Sequence, residues 1–200
     1  MQWKKKLQSA RKRWKTFDLS KSALVVVDMQ KYFLDESSHA FVPSSTSILP
    51  NVIEIVQTYR KADRPVAFTY FAVKEGEPDP IGEWWGRSVK EGEDASKIVK
   101  ELQPLEEDLV MRKSSYSSFK DTDLEEFMKK KDVENLVITG VLTNICCETA
   151  AREAFSLGYD VFIPIDATAS YNEEMHVSSL ITLCYAFATP LSTQEILKSS

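Results

Sequence analysis

Five stretches of the chain run apolar and then stop at a polar residue able to do chemistry. Residues 23–27 end at Asp28, and residues 65–69 run into Tyr70. Residues 108–112 lead to Lys113, residues 135–141 pass through Leu142, Thr143 and Asn144 to Cys146, and residues 161–165 end at Asp166. Runs of this length without polar alternation are the pattern of strands covered on both faces. Between them lie segments with apolar positions about 3.6 residues apart. The first carries Ile48, Val52, Ile55, Val56 and Tyr59, with Pro50 in its first turn. The second follows the cluster Asp121-Thr122-Asp123 and carries Leu124, Phe127 and Met128. The third begins near Asn144, carries Ile145, Ala151, Ala154 and Phe155, and closes at Gly158. The fourth starts after Asn172 and carries Met175, Leu180, Leu183 and Cys184.

Strands alternating with helices predict an α/β fold: a three-layer α/β/α sandwich around a mainly parallel, doubly wound, six-stranded sheet. In such a sheet the carboxyl ends of the strands share one edge. Asp28, Lys113 and Cys146 would meet there from remote positions as an acid, a base and a thiol. The long irregular stretches 35–47 and 74–94 have the length of lids or binding loops. The second contains Trp84-Trp85-Gly86, either a pocket wall or a local anchor.

The chain has 200 residues, 43% of them hydrophobic and 28% charged, which suits one soluble domain. Its expected organisation is a basic N-terminal arm, 1–20, and a single domain, 21–200. No apolar stretch reaches the roughly 18 residues of a membrane span, and the charged amino end lacks the apolar centre of a secretory signal, so a cytoplasmic location is expected. Cys146, Cys147 and Cys184 are odd in number and two are adjacent, which argues against a disulfide framework. The net charge of −5 argues against a nucleic-acid partner. Only the first residues are basic, with Lys4, Lys5, Lys6, Arg11, Lys12, Arg13 and Lys15 beside Trp3 and Trp14. They read as a solvated helical arm rather than a membrane or RNA surface.

Cys146 falls where a strand turns into a helix, so it meets the positive end of the helix dipole. With Lys113 as a nearby cation, a lowered thiol pKa is expected, and Asp28 is placed to accept the thiol proton.

Asp28-Met29-Gln30-Lys31-Tyr32-Phe33 resembles the D-x-Q-x-x-F opening of the isochorismatase-like cysteine hydrolases. Lys113-Ser114-Ser115-Tyr116-Ser117-Ser118-Phe119 resembles their second segment. Residues 140–152 are similar to their G-V-x-T-N-x-C nucleophile turn, and Asp166-Ala167-Thr168-Ala169-Ser170 matches their D-A-T-A-S. The four motifs stand in the family order over roughly residues 22–197.

The resemblance implies a hydrolase of small-molecule amide or related C–N bonds, with Asp28, Lys113 and Cys146 as triad and a covalent thioester intermediate. It also implies a cis peptide between Val141 and Leu142, an oxyanion hole from the backbone N–H groups of Leu142 and Cys146, and a substrate-stacking Phe33. Gln30, Tyr70, Trp85 and Tyr116 are the further candidate substrate contacts. Cys147, about 100° around the helix from Cys146, should face the packing, and Cys184 should be core. The resemblance implies a homo-oligomer, dimer or tetramer, and no cofactor.

Two departures keep alternatives open. Nicotinamidases of that family carry an aspartate and histidines after the second strand as metal ligands. Here that segment reads Thr69-Tyr70-Phe71-Ala72-Val73-Lys74, and His39 and His176, the only histidines, are expected at the surface. No metal site is expected. Residues 28–34, Trp85-Gly86 and Tyr116-Ser117-Ser118-Phe119 also resemble the isochorismatases proper, which cleave a vinyl ether with the aspartate as general acid. A binding or assembly protein on the same fold, working through its basic arm, is the remaining alternative.

Overall fold

The structure, a computed structural model, describes residues 11–199. In chain order the elements are β1 (Ser22–Val27), α1 (Lys31–Leu34), α2 (Ser45–Lys61), β2 (Val66–Phe71), α3 (Pro80–Trp85), β3 (Leu109–Lys113) and α4 (Leu124–Lys130). They continue with β4 (Asn135–Val141), α5 (Glu148–Ser156), β5 (Asp160–Pro164), β6 (Thr168–Ala169), α6 (Glu173–Ala186), β7 (Ala188–Leu191) and α7 (Thr193–Leu197). The strands form one parallel sheet in the order β3-β2-β1-β4-β5-β7, with the two-residue β6 added beside β4. Six strands make up the main path, as the sequence predicts, and β6 is a seventh.

Both faces of the sheet are covered, which is why its central strands carry no polar alternation. On β1, Leu24 and Val26 pack into the cluster holding Val52 and Ile55 of α2 and Ile196 of α7. Ala23, Val25 and Val27 point the other way, toward Met128 of α4, Ala151 of α5 and Leu183 of α6. Phe155 and Met175, counted into apolar helix faces from spacing, are instead exposed.

The central strands approach closely just before the site. Gly140 has φ 104°, and a Cβ there would lie 2.1 Å from the Val27 carbonyl oxygen. Only glycine permits that backbone and that contact. Gly140 pairs with Val27 in register, so the chain leaves β1 and β4 side by side.

The described part of the basic arm is not a solvated helix. A single turn at Arg11–Arg13 gives way to extended chain. The Trp14 indole donates to the Cys184 carbonyl at 2.9 Å, the Lys15 amide donates to Thr189 Oγ1 at 2.9 Å, and Phe17 packs edge-on to Phe162. Aromatic burial against α6 and β7 outweighs solvation of the neighbouring charges. Trp3, Lys4, Lys5 and Lys6 lie outside the described residues.

Candidate active site

Asp28 directly follows β1, Lys113 ends β3, and Cys146 lies in the turn after β4, all at the carboxyl edge of the sheet. Strands β3 and β1 are not neighbours, so two spacings of about 4.8 Å separate them. A long side chain closes that gap. Lys113 Nζ lies over the Phe71 ring of β2, 5.8 Å from its centroid, and reaches Asp28 Oδ2 at 2.7 Å, with both side chains fully buried. Nζ also donates to the Ser115 carbonyl at 3.0 Å and to Cys146 Sγ at 3.4 Å. The other carboxylate oxygen of Asp28 accepts from Thr69 Oγ1 at 2.9 Å. Asp28 itself adopts φ 51°, and its amide donates to the Thr69 carbonyl.

Cys146 sits in one wide turn of π-helix, Thr143–Cys147, that leads into α5. The Val141–Leu142 peptide is cis, and the Leu142 carbonyl accepts from the amides of Ile145 and Cys147. Helix α6 holds this turn from outside. Ser179 Oγ donates to the Thr143 carbonyl and to Glu148, and His176 Nδ1 lies 2.9 Å from Thr143 Oγ1. Ser170 Oγ donates to Asn144 Oδ1 at 2.8 Å, so the residue that closes the D-A-T-A-S segment braces the same turn. His176 is half-buried there rather than at the surface. Cys147 turns away into the core, fully buried, and Cys184 is buried as well.

Burial pushes the Cys146 thiol up to about 12. The Lys113 ammonium opposes that rise, while the Asp28 carboxylate, which accepts a hydrogen bond from the thiol, adds to it. The lowered pKa expected from sequence is therefore corrected: at 4% exposure, loss of hydration outweighs the helix dipole and the cation. Burial also pulls Lys113 down, but its anionic neighbours outweigh this and hold the ammonium above its ordinary value. The resting arrangement is a neutral thiol between a carboxylate and an ammonium.

A stability prediction follows. A thiol whose folded pKa lies above its ordinary value near 9 contributes stability that is complete below pH 9 and lost as pH rises toward 12. Lys113, raised by its partners, has the same sign. Unfolding free energies from urea titration should fall between pH ~9 and ~12, by up to roughly 1.4 kcal/mol per pH unit per group, and fall less in Cys146→Ala. Equal falls in the two proteins would show that this thiol does not contribute.

Above Cys146 opens a cavity of about 290 Å³ walled by aromatic side chains. Phe33, Trp85, Tyr116 and Leu142 line it, as does Cys146. Trp85 Nε1 donates to the Tyr116 hydroxyl at 2.7 Å, which fixes two walls together, while Trp84 is 80% exposed and takes no part.

Two sequence candidates lie elsewhere. The Gln30 amide is buried and spent on backbone: Nε2 donates to the Phe71 carbonyl at 3.0 Å, and Oε1 accepts from the Phe71 amide at 2.7 Å. Gln30 therefore pins the end of β2 instead of facing a substrate. Tyr70 packs against the core cluster, and Phe71 lines the cavity in its place. A shift of one residue along a strand exchanges faces. Tyr32, His39, Arg87, Ile145 and Tyr171 are lining residues that sequence reasoning passed over. His39 is exposed, as expected, but stands at the cavity, 3.2 Å from the Tyr32 hydroxyl.

A family model described as "Isochorismatase domain" matches residues 22–195. The chain belongs to the isochorismatase family. It is 38% identical over 182 residues to "Nicotinamidase 3" of Arabidopsis thaliana, covering 89% of this chain and 88% of that one. It is 32% identical to "Isochorismatase" of Bacillus subtilis (strain 168), over 82% of this chain and 53% of that protein. Among solved structures, a cysteine hydrolase from Pseudomonas syringae pv. phaseolicola 1448A superposes with a TM-score of 0.87 at 25% identity, covering 92% and 93% of the two chains. This isochorismatase-family chain is thus a hydrolase. Among its described residues no cluster of three or more His, Cys, Asp or Glu is placed to hold a metal ion. No helix among the described residues is long and apolar enough to cross a membrane.

Proposed function

We propose that this hydrolase cleaves a small-molecule amide or related C–N bond through a covalent thioester on Cys146. The observation that carries the reading is the cluster itself: the Cys146 thiol beneath an aromatic cavity, with Lys113 Nζ 3.4 Å from sulfur and 2.7 Å from Asp28. Because the resting thiol is neutral, the nucleophile is made during the reaction. Sγ bonds to the carbonyl carbon as Asp28 takes the thiol proton, and Lys113 stabilises the sulfur while charge develops. The oxyanion faces the backbone N–H groups of Leu142 and Cys146, where each such donor is worth about 10²–10³ in rate. Collapse breaks the C–N bond as Asp28 returns its proton to the departing nitrogen. Water, deprotonated by Asp28, then adds to the thioester carbon, the C–S bond breaks, and sulfur regains the proton. Amide and water become acid and amine, with no cofactor in the balance.

The vinyl-ether alternative asks Asp28 to be a proton donor at neutral pH. The Asp28 oxygen nearest Lys113 is already in an ion pair at 2.7 Å, and its other oxygen accepts from Thr69, so neither is presented as a free proton donor. The test is hydrolysis of a panel of small amides, ureides and isochorismate by the wild type and Cys146→Ala, with intact-mass analysis of quenched turnover. Expected is amine release from at least one C–N substrate together with a mass adduct on Cys146. Isochorismate cleavage that survives Cys146→Ala, with no C–N substrate turned over, would replace the amide reading.

A further inference from the structure

The cavity above Cys146 is apolar on nearly every side, yet Arg87 stands among its lining residues. Its place is set by local structure. Helix α3 ends at Gly86 in a left-handed conformation, φ 81°, and the next residues, Ser88 and Val89, are buried. The Arg87 carbonyl accepts from the Tyr32 hydroxyl at 3.2 Å, so the backbone is tied to the cavity wall while the side chain stays exposed.

The other arginines show what is unusual about it. Arg60, Arg112 and Arg152 pair with carboxylates, Arg13 and Arg64 donate to carbonyls, and Arg11, on the far arm, lies over the Trp14 ring. Among the described residues the Arg87 guanidinium has no ion-pair or hydrogen-bond partner. Nearby acids in the recess on its outer side are already engaged. Asp94 is held by Lys31 and Lys97, and Asp35 accepts from the amide and hydroxyl of Ser37. Glu93 accepts from the Lys90 amide. Among the described residues Arg87 carries the one full formal charge lining this cavity, and its fork of donors suits a planar anion such as a carboxylate.

We infer that Arg87 is a specificity-determining residue that holds a carboxylate on the substrate, at the end of the molecule away from the bond broken at Cys146. The inference rests on the proposed amide hydrolysis for its orientation, and it names the substrate class as amides that also bear an acid group. Aromatic walls sandwich the body of the molecule, and the exposed guanidinium at the cavity rim takes its acid through two parallel N–H donors.

The test compares matched neutral and acidic amides on the full chain: benzamide against 3- and 4-carbamoylbenzoate, and succinamide against succinamate. Calorimetry on Cys146→Ala reads binding without turnover, and KM on the wild type reads it independently. An acidic member is expected to bind at least about tenfold tighter than its neutral partner. Adding Arg87→Gln should bring that ratio to near one while benzamide affinity stays put, and Arg87→Lys should keep part of it. No preference in either pair, a preference that survives Arg87→Gln, or equal weakening of both members would each overturn the inference. Failure of the two readings is distinguishable. Acid preference in binding without amine release retains the anion site and removes the amidase. Amine release without acid preference does the reverse.

Discussion

Cys146→Ala should lower turnover of any C–N substrate by about 10⁴ or more, while Cys147→Ala should change it by less than about threefold. The two residues are adjacent in sequence and of one kind; the motif register points to Cys146, and their placements differ. Cys146 lines the cavity and lies 3.4 Å from Lys113 Nζ, whereas Cys147 is sealed in the core with its sulfur toward the Thr139 carbonyl. Asp28→Asn keeps the shape of the carboxyl and removes its ability to take a proton, and a loss of about 10²–10⁴ is expected. Because burial and Asp28 hold the thiol protonated at neutral pH, removing the acceptor should cost more than it would in a site with a standing thiolate. Steady-state rates of amine release on one substrate measure all three. Full activity in Cys146→Ala would remove the covalent route, and loss of activity in a well-folded Cys147→Ala would move the nucleophile by one position.

Much of this site was legible because it sits at strand ends. An apolar run followed by a polar residue marks both the strand and its carboxyl edge, and Asp28, Lys113 and Cys146 all follow that rule. What lay off the strands was harder to read. Strand β7 is only four residues, Ala188–Leu191, with Pro190 inside it, and carries no run to notice. Helix α7 declares itself only through the capping pair Ser192 and Glu195. The apolar run stops at residue 69, two residues before β2 ends, so it points to Tyr70 although Phe71 lines the cavity. Gln30 shows a different limit: a glutamine in a motif reads equally as substrate contact or backbone clamp, and only its bonds to Phe71 decide. The direction of the thiol shift was not legible at all. Helix dipole and lysine are visible in sequence, but the depth of burial that outweighs them exists only in the folded chain. Arg87 had no motif to announce it. Its signal is the lack of a partner, which exists only once every neighbouring acid has been placed.

Lys113→Met should destabilise the chain by about 3–5 kcal/mol, the cost of leaving a carboxylate buried without its cation. That is a large share of the roughly 5–15 kcal/mol that a domain of this kind has in total. Both side chains are fully buried, and the ammonium is the only counter-charge within 4 Å of Asp28 among the described residues. Adding Asp28→Asn should return most of the loss, because a neutral amide beside a thioether carries no uncompensated charge and keeps the Thr69 contact. Urea unfolding of the two single variants and the double variant measures the coupling. Costs that simply add would mean the pair is not linked in energy, despite its 2.7 Å separation. If Lys113→Met is too unstable to purify, the double variant still decides the matter by folding or failing to fold. Activity should follow a different rule from stability. The double variant regains its fold but has neither a proton acceptor nor a cation for the developing sulfur charge, so its turnover should stay as low as that of Asp28→Asn or lower. A site whose charged pair can be replaced without loss of stability, but not without loss of rate, holds that pair for its chemistry.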